Sequence, residues 1–262
     1  MDVYDFTPGS APLLISIPHA GTEVPEGIGA KFTDAARSLP DTDWYVHELY
    51  DFARDLGATI IKANYSRYVI DLNRAPDSRA LYATHTTTPL CPTHTFSGAP
   101  IYRSGSEPDQ AEIERRREQF WQPYHNRIRS ELERILERHG AALLWDAHSI
   151  ASEIPSLFEG VLPEFNFGTR DGASCPPAIA GALLEIVTTD GRFDAVLDGR
   201  FKGGYITQHY GRAADRVYAV QLELAQRAYM NEAACSWDAE RAAPARALIA
   251  RVLERYLQSI PR

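Results

Sequence analysis

Two histidines lie just beyond short apolar runs of this 262-residue chain. His19 follows the run 12–18, and His148 lies shortly after the run 141–145. Catalytic zinc sites use three protein ligands, drawn from histidine, cysteine and carboxylate side chains, and keep a fourth position for water. A single histidine is more often a hydrogen-bonded structural residue than a ligand. Two histidines with acids nearby favour a metal site, provided that their strands are neighbours.

A carboxylate would complete such a ligand set. Three candidates follow the first histidine in the sequence: Glu23, Asp41 and Asp43. The residue types alone leave the choice among them open. Asp146 lies two positions before His148, and it suits a supporting role in which a carboxylate orients a ligand histidine or a neighbouring loop.

Glu223 occupies an unusual place for an acid, between Leu222 and Leu224 in an apolar run. Burial of a carboxylate is costly unless the group is paired or functional. Beside a bound metal, this side chain could take a proton from the attacking water and pass it to the leaving amine. Strand alternation offers a second interpretation, in which Gln221 and Glu223 both point to solvent. The two interpretations are equal on the sequence alone.

Arginines are concentrated in one stretch: Arg67, Arg74 and Arg79, with Arg103 further along. Arginine binds carboxylates through paired hydrogen bonds, so the stretch favours a substrate with one or two carboxylates. Most of the 27 basic residues must nevertheless be ordinary surface groups. Arg74 is the strongest candidate, because it follows Asn73 at the end of a predicted core strand.

The segment 202–212 has glycines on either side of polar side chains. This composition predicts a loop or hairpin with flexible ends, which could act as a lid over a pocket. His209 and Arg212 are its candidate substrate-binding residues, although a plain surface hairpin is the simpler interpretation.

The apolar pattern places these residues on an α/β scaffold. The predicted strands are 12–18, 59–63, 68–72, 141–145, 160–168 and 217–224, and the predicted helices are 43–56, 108–139, 177–189 and 239–258. The segment 75–108 predicts a long functional loop. The alternation predicts one three-layer domain, residues 1–262, with a mostly parallel or mixed sheet covered by helices. In such sheets ligands bind beyond the carboxyl ends of the strands, where the polar groups above are placed.

Composition narrows the function further. A formal net charge of −8 and a pI of about 5.5 argue against a nucleic-acid partner. The apolar runs are shorter than the roughly 20 residues of a membrane helix, and the N-terminus does not resemble a targeting segment. Cys91, Cys175 and Cys235 are widely spaced, which predicts reduced structural thiols. We therefore expect a cytoplasmic protein that acts on a small molecule, of undetermined oligomeric state.

Six segments resemble, in the same order, the signature segments of the N-formylglutamate amidohydrolase family: 16–25, 41–44, 66–74, 146–149, 203–207 and 221–224. This family is more distantly similar to zinc carboxypeptidases and aspartoacylases, so the resemblance implies a phosphorylase/hydrolase-like, zinc-peptidase-like fold. In those enzymes a ligand histidine with a nearby acid precedes an Asn-Arg pair, a second ligand histidine and a catalytic glutamate.

The resemblance implies roles for the matching residues. The relatives have the pattern His-x-x-Glu, whereas Glu23 lies one residue further from His19, so the family pattern favours Asp43 as the acidic ligand. It implies one Zn²⁺ per chain, with another divalent metal as an alternative, held by His19, Asp43 and His148. Glu223 is then the catalytic acid and base.

The resemblance also implies the reaction, which is hydrolysis of N-formyl-L-glutamate to formate and L-glutamate in histidine degradation. Arg67 or Arg74 would stabilise the oxyanion, and the substrate carboxylates would be held by residues drawn from Arg67, Asn73, Arg74, His209 and Arg212. Two alternatives stay open. One is a hydrolase of another N-acyl amino acid, of aspartoacylase or carboxypeptidase type. The other is a non-catalytic binding protein for acidic amino acids, which would need no zinc.

Overall fold

A computed structural model describes residues 2–77 and 88–260. Arg79, one of the clustered arginines, and part of the predicted long loop lie outside the described residues. Within them, no helix is long and apolar enough to cross a membrane. The three cysteines are all described and all have free thiols, Cys91 and Cys175 buried and Cys235 exposed, as the sequence predicts.

The described residues form nine strands. They are β1 (Tyr4–Thr7), β2 (Leu13–Ile17), β3 (Thr59–Ala63), β4 (Ala142–Ile150), β5 (Phe165–Gly168), β6 (Ala195–Leu197), β7 (Val217–Ala225), β8 (Met230–Asn231) and β9 (Ser236–Trp237). The first seven build one sheet in the order β1-β3-β2-β4-β7-β5-β6. β3, β2, β4 and β7 are mutually parallel, whereas β1 and β5 pair antiparallel with their inner neighbours. The sheet is therefore mixed, as predicted.

The helices of the described residues cover both faces of this sheet. They are α1 (Glu26–Gly29), α2 (Asp34–Arg37), α3 (Val46–Leu49), α4 (Gln110–Arg116), α5 (Gln122–His139), α6 (Pro177–Asp190), α7 (Tyr205–Tyr210) and α8 (Ala239–Leu257). A π-helical turn, Arg117–Trp121, joins α4 to α5. One apolar layer packs α3, α6 and α8 against the sheet, and a second packs α1, α2, α5 and α7 against the opposite face. This confirms the three-layer α/β architecture.

Side-chain alternation along the central strands carries the polar residues to one face. On β4, Leu143, Trp145 and Ala147 enter the apolar layer of α8, so Asp146 and His148 must point to the opposite face. The parallel register pairs Asp146 with Gln221 and His148 with Glu223 on β7. Because parallel strands end at the same edge of a sheet, His19, just after β2, lies at this edge too.

Two predictions of local structure are wrong in ways that matter for the site. The segment 43–56 is not one helix, because Tyr45 adopts a left-handed backbone (φ 59°) and α3 begins only after it. The segment 68–72 is a series of turns rather than a strand, although Tyr68, Val69 and Ile70 are buried. A continuous apolar run indicates burial, but it does not by itself distinguish a strand from a buried turn.

Two further boundaries differ from the sequence prediction. β4 does not end before Asp146 but runs on to Ile150, so its two polar side chains belong to the strand itself. The segment 202–212 is not a hairpin, since its central part forms helix α7.

Candidate active site

Three buried side chains converge beyond the carboxyl ends of β2 and β4. His19 Nδ1 lies 3.8 Å from Asp43 Oδ2, and His148 Nδ1 lies 3.0 Å from the same oxygen. One candidate ligand atom from each of the three residues can be chosen so that all three atoms lie within 4.8 Å of one another. This cluster could hold a metal ion.

The contacts of the second ring nitrogen, Nε2, show whether these two histidines are suited to bind a metal. His19 Nε2 lies 2.7 Å from Asp71 Oδ1, and His148 Nε2 lies 3.0 Å from Asp146 Oδ2. Ligand histidines in metal sites almost always direct their second nitrogen at a carboxylate, carbonyl or water, which fixes the ring and its tautomer. Each Nδ1 is therefore directed at the shared Asp43 oxygen, and the donor set fits a divalent cation.

The electrostatics agree with this fit. Burial and the Arg67 charge lower the pKa of His19, which favours the neutral ring that a metal requires. Burial alone would lower the pKa of His148 as well, but Asp146 and Asp43 outweigh it and hold that pKa well above its usual range. The carboxylates around His148 thus make the site strongly favourable for positive charge.

The chain turns sharply before α3, and this turn delivers Asp43 to the cluster. The Asp43 amide donates to the carbonyl of His19 (3.1 Å), and Asp43 Oδ2 accepts from the Ser149 amide (3.1 Å). The other two acids that the sequence left open are elsewhere. Asp41 accepts from the Tyr68 hydroxyl and the Phe96 amide, and Glu23 is exposed. The described geometry therefore favours Asp43 as the acidic ligand.

Asp71 organises the turn 66–74. Its carboxylate binds His19, accepts from the Asn73 amide (2.9 Å) and from Arg67 Nη2 (2.8 Å). Burial would raise the pKa of Asp71, but His19 and Arg67 hold it well below its usual range. The same turn places Nδ2 of the Asn73 side chain 2.9 Å from His148 Nε2. One turn thus supports both histidines.

Glu223 faces inward, not to solvent, and is only 7% exposed. Burial raises the pKa of Glu223 to about 8. Gln221, the preceding residue on the same face of β7, donates from Nε2 to Glu223 Oε2 (3.2 Å) and accepts from the Gly204 amide through Oε1 (2.7 Å). The carboxylate is thereby held beside His148 with an elevated proton affinity, as a proton acceptor near a metal site needs.

One pocket opens onto this cluster. Among the residues proposed from sequence, it is lined by His19, Arg67, Asn73, Arg74, His148 and Glu223. Asp43 contacts both histidines but does not itself line the pocket. Arg74 reaches the wall from the turn 66–74, where Nε donates to the Thr88 carbonyl (3.2 Å).

Two sequence candidates lie away from this pocket. His209 is exposed on α7 and stacks on Tyr205, with 4.9 Å between ring centroids. Arg212 is exposed and pairs with Asp215 (3.0 Å). Neither lines the pocket, because residues 205–210 fold as helix α7, whose buried face carries Ile206, Thr207 and Tyr210 instead. Arg103 also lies elsewhere and caps the carbonyls of Ala30 and Phe32.

Several residues of the site are absent from the set of candidates that the sequence predicts. Asp71, like Glu223, is an acid within an apolar run, and this pattern is enough to mark it as a candidate. Gln221 was noticed only as a solvent-facing partner. Arg200 and Lys202 also line the pocket. Lys202 begins the segment 202–212 that the sequence marks as a candidate lid, whereas nothing in the neighbourhood of Arg200 distinguishes it from a surface cation.

The mixed α/β sheet gathers two histidines, several carboxylates and cationic side chains around one pocket. This arrangement is that of an enzyme of the hydrolase type. The chain belongs to the N-formylglutamate amidohydrolase family, whose model matches residues 11–230. Two curated relatives, both named N-formylglutamate deformylase, are 49% identical to it. The protein of Pseudomonas putida aligns over 97% of this chain and 96% of its own, and that of Pseudomonas aeruginosa over 98% and 96%.

Solved structures share the fold. A crystal structure of N-formylglutamate amidohydrolase from Ralstonia eutropha JMP134 superposes with a TM-score of 0.86 at 22% identity, covering 99% of both chains. A gene product of Agrobacterium tumefaciens superposes with a TM-score of 0.75 at 18% identity, covering 99% of this chain and 96% of its own. At these identities the likeness establishes the architecture.

Proposed function

We propose that this protein hydrolyses N-formyl-L-glutamate to formate and L-glutamate with the help of one bound divalent metal ion, Zn²⁺ in the first instance. The observation that carries the proposal is the convergence of His19 Nδ1, Asp43 Oδ2 and His148 Nδ1 beside the buried Glu223, at the base of a pocket lined by cations. Near-full-length relatives named N-formylglutamate deformylase support the same substrate.

His19, Asp43 and His148 would hold the metal. When bound, a divalent cation lowers the pKa of water and polarises the oxygen of an acyl group. Asp71 and Asp146 keep each histidine ring turned so that its Nδ1 faces Asp43. Imidazole and carboxylate ligands also accept manganese, iron or cobalt, so zinc is the choice that the family resemblance implies.

Glu223 moves the proton. In its ionised form the carboxylate accepts a proton from the attacking water as the new carbon–oxygen bond forms, and its raised pKa makes this form a stronger base than an ordinary carboxylate. The protonated side chain then returns that proton to the glutamate nitrogen as the carbon–nitrogen bond breaks. The formyl group leaves as formate, and the amine of L-glutamate is released.

The substrate is a dianion, and the pocket supplies matching charge. Arg67 is buried against Asp71 and Asp43, and it would stabilise negative charge that develops on the formyl oxygen. Arg74, directly after Asn73, would hold the carboxylate attached to the reacting end of the substrate. The proposed reaction takes place in the cytoplasm, where the three free thiols would stay reduced.

Formate release tests the proposal directly. Protein stripped with a chelator is expected to release no formate from N-formyl-L-glutamate, and stoichiometric zinc is expected to restore the activity. N-acetyl-L-glutamate and N-formyl-L-aspartate are the comparison substrates. Preference for either one over N-formyl-L-glutamate would make the protein a hydrolase of another N-acyl amino acid.

Two results would count against the mechanism in different ways. Full activity in stripped protein would exclude the metal role and leave the substrate in place. Zinc-loaded protein that binds N-formyl-L-glutamate without releasing formate would instead be a binding protein for acidic amino acids.

A further inference from the structure

The cationic residues of the pocket come from two separate walls. Arg67 Nη2 lies 2.8 Å from Asp71 Oδ2, and Arg74 Nε lies 4.0 Å from the same oxygen, so both belong to the wall that supports His19. Arg200 comes from the segment between β6 and α7. Its Nε donates to the Leu157 carbonyl (2.6 Å), and its guanidinium lies 5.3 Å from the Phe201 ring centroid.

The substrate also has two anionic ends. In N-formyl-L-glutamate one carboxylate is attached to the carbon that bears the scissile nitrogen, and the other lies beyond two methylene groups. With the formyl group at the metal cluster and the first carboxylate held by Arg74, as in the function proposed above, the second carboxylate extends away from Arg74. Among the described residues, Arg200 and Lys202 are the lysine and arginine side chains that line the pocket outside the Asp71 wall.

We propose, on the basis of the function above, that Arg200 binds the side-chain carboxylate of the substrate and makes the enzyme selective for acidic N-formyl amino acids. A guanidinium forms two parallel hydrogen bonds with a carboxylate and retains its charge at any working pH. Arg200 is a specificity-determining residue in this assignment, distinct from the groups that act on the formyl carbon.

The backbone that carries Arg200 is anchored on both sides. The Asp198 amide donates to the Phe167 carbonyl (2.7 Å), and the Asp198 carboxylate accepts from the Thr169 amide (2.7 Å). Beyond Arg200, the Arg170 amide donates to the Lys202 carbonyl (2.7 Å). These bonds tie the segment to the end of β5, and a binding group on anchored backbone loses little conformational entropy when its ligand arrives.

The inner end of the same segment contacts the catalytic centre. Gly203 has a left-handed backbone (φ 109°) that glycine adopts without strain, and the next amide, that of Gly204, donates to Gln221 Oε1. Gln221 in turn donates to Glu223. Backbone and hydrogen bonds therefore connect Arg200 to Glu223, and we expect this connection to hold the guanidinium at a set distance from the proton acceptor.

Lys202 fits the role less well, although it lies on the same segment and lines the same pocket. Its Nζ pairs with both carboxylate oxygens of Asp171, at 2.8 and 3.0 Å. This pair directs the ammonium toward the exposed Asp171 and offsets its charge. Arg200 is the cation of this wall whose placement suits a substrate carboxylate.

Substrates that each lack one carboxylate provide the test. N-formyl-L-norvaline keeps only the carboxylate next to the amide, and N-formyl-4-aminobutyrate keeps only the distal one. In the zinc-loaded enzyme, Arg200→Leu is expected to lower kcat/KM on the order of 10- to 100-fold for N-formyl-L-glutamate and N-formyl-4-aminobutyrate. For N-formyl-L-norvaline kcat/KM is expected to change less than about 3-fold.

Two further variants sharpen the comparison. Arg200→Lys keeps the charge without the planar fork, so an intermediate loss with the same substrate pattern is expected. Arg192→Leu removes an exposed arginine that pairs with Asp190, and it should leave all three substrates unaffected. An equal loss on all substrates in Arg200→Leu would overturn the assignment. A loss confined to the substrates with the inner carboxylate would overturn it too, and would move Arg200 to that group.

Calorimetric titration separates this inference from the proposed reaction. Glu223→Gln protein should bind N-formyl-L-glutamate without turnover, and adding Arg200→Leu should weaken that binding on the order of 10- to 100-fold. If the intact zinc enzyme released no formate but the double variant bound the substrate more weakly, the proposed reaction would be excluded and the Arg200 site would be supported. Equal binding by both proteins would exclude the Arg200 site whatever the activity.

Discussion

His19 Nε2 lies 2.7 Å from Asp71 Oδ1, although the two residues are separated by 52 positions in the chain. This contact determines which nitrogen of His19 faces the candidate metal site. Asp71 belongs to a turn that also carries Arg67 and Asn73, so one carboxylate links the candidate metal cluster to residues proposed to bind the substrate.

Replacing Asp71 by asparagine should weaken metal binding. An amide retains the size of the carboxylate but loses the charge that orients His19 and increases its basicity. Loss of such a supporting carboxylate typically lowers metal affinity about 10- to 100-fold. Competition with a chromophoric chelator would measure zinc affinity. Asp55→Asn, at an exposed position, is the control and should bind zinc like the parent protein. Unaltered zinc affinity in a folded Asp71→Asn protein would contradict the role.

Glu223→Gln should abolish turnover while leaving the site assembled. Glutamine has the same shape as the buried glutamate but cannot accept a proton, and general acid–base catalysis typically contributes about 10²- to 10⁴-fold to the rate. We expect kcat to fall by about that factor, with zinc content unchanged. Glu254→Gln, an exposed substitution on α8, is the matched control. A Glu223→Gln enzyme with more than a tenth of the parent kcat would exclude this residue as the base.

The core of the fold follows from the sequence, because short apolar runs bounded by turn residues specify buried strands. The predicted strand 59–63 coincides with β3, and the predicted strand 217–224 is one residue short of β7. The predicted helix 108–139 ends where α5 ends, at His139, and Gly140 follows as a left-handed C-cap with φ 70°. In each case the local pattern and the tertiary packing require the same conformation.

The turns that assemble the site could not be predicted in this way. The run 68–72 within the turn 66–74 has the apolar character of a strand. The amides of this turn nevertheless donate to carbonyls of the turn itself, of Glu23 and of Leu90 rather than to a sheet strand. Asp43 rather than Asp41 reaches the candidate metal cluster because it bonds to the His19 carbonyl and the Ser149 amide, and a sequence pattern does not signal such long-range contacts. Arg200 enters the pocket only because β5 and β6 lie beyond β7, which is a property of the topology.

Gly204→Ala should damage the site without touching a metal ligand. A Cβ at this position would lie 2.3–2.5 Å from the side-chain atoms of Asn73, which is too close for any real contact. Either Asn73 or the 200–204 segment must move, so we expect kcat/KM to fall at least about 10-fold and unfolding to occur at lower temperature. Formate release and thermal unfolding, measured on the same zinc-loaded sample, would record both effects.

Gly181→Ala is the matched glycine control. It lies within α6, and a Cβ there meets no atom within 4 Å. Since alanine favours a helix interior over glycine by about 1 kcal/mol, this variant should be slightly more stable and fully active. A Gly204→Ala enzyme that behaves like Gly181→Ala would show that the 200–204 segment does not constrain Asn73.

The buried His125 should make stability depend on pH. Its Nε2 donates to the Leu72 carbonyl (2.8 Å), and its Nδ1 lies 3.0 Å from the Tyr210 hydroxyl. Burial lowers the pKa of His125 to about 3. In the unfolded chain this histidine therefore takes up a proton below the usual histidine pKa of about 6.5, whereas in the folded protein its ring stays neutral at that pH. Stability from this residue is complete above that pH and declines by about 1.4 kcal/mol per unit as the pH falls from about 6.5 toward 3.

Urea unfolding between about pH 8 and 5 would measure this decline in stability. His125→Gln should flatten the acid side of the curve, and His94→Gln, at an exposed position, should not. Equal slopes in all three proteins would mean that His125 takes up its proton as easily in the folded state as in the unfolded one.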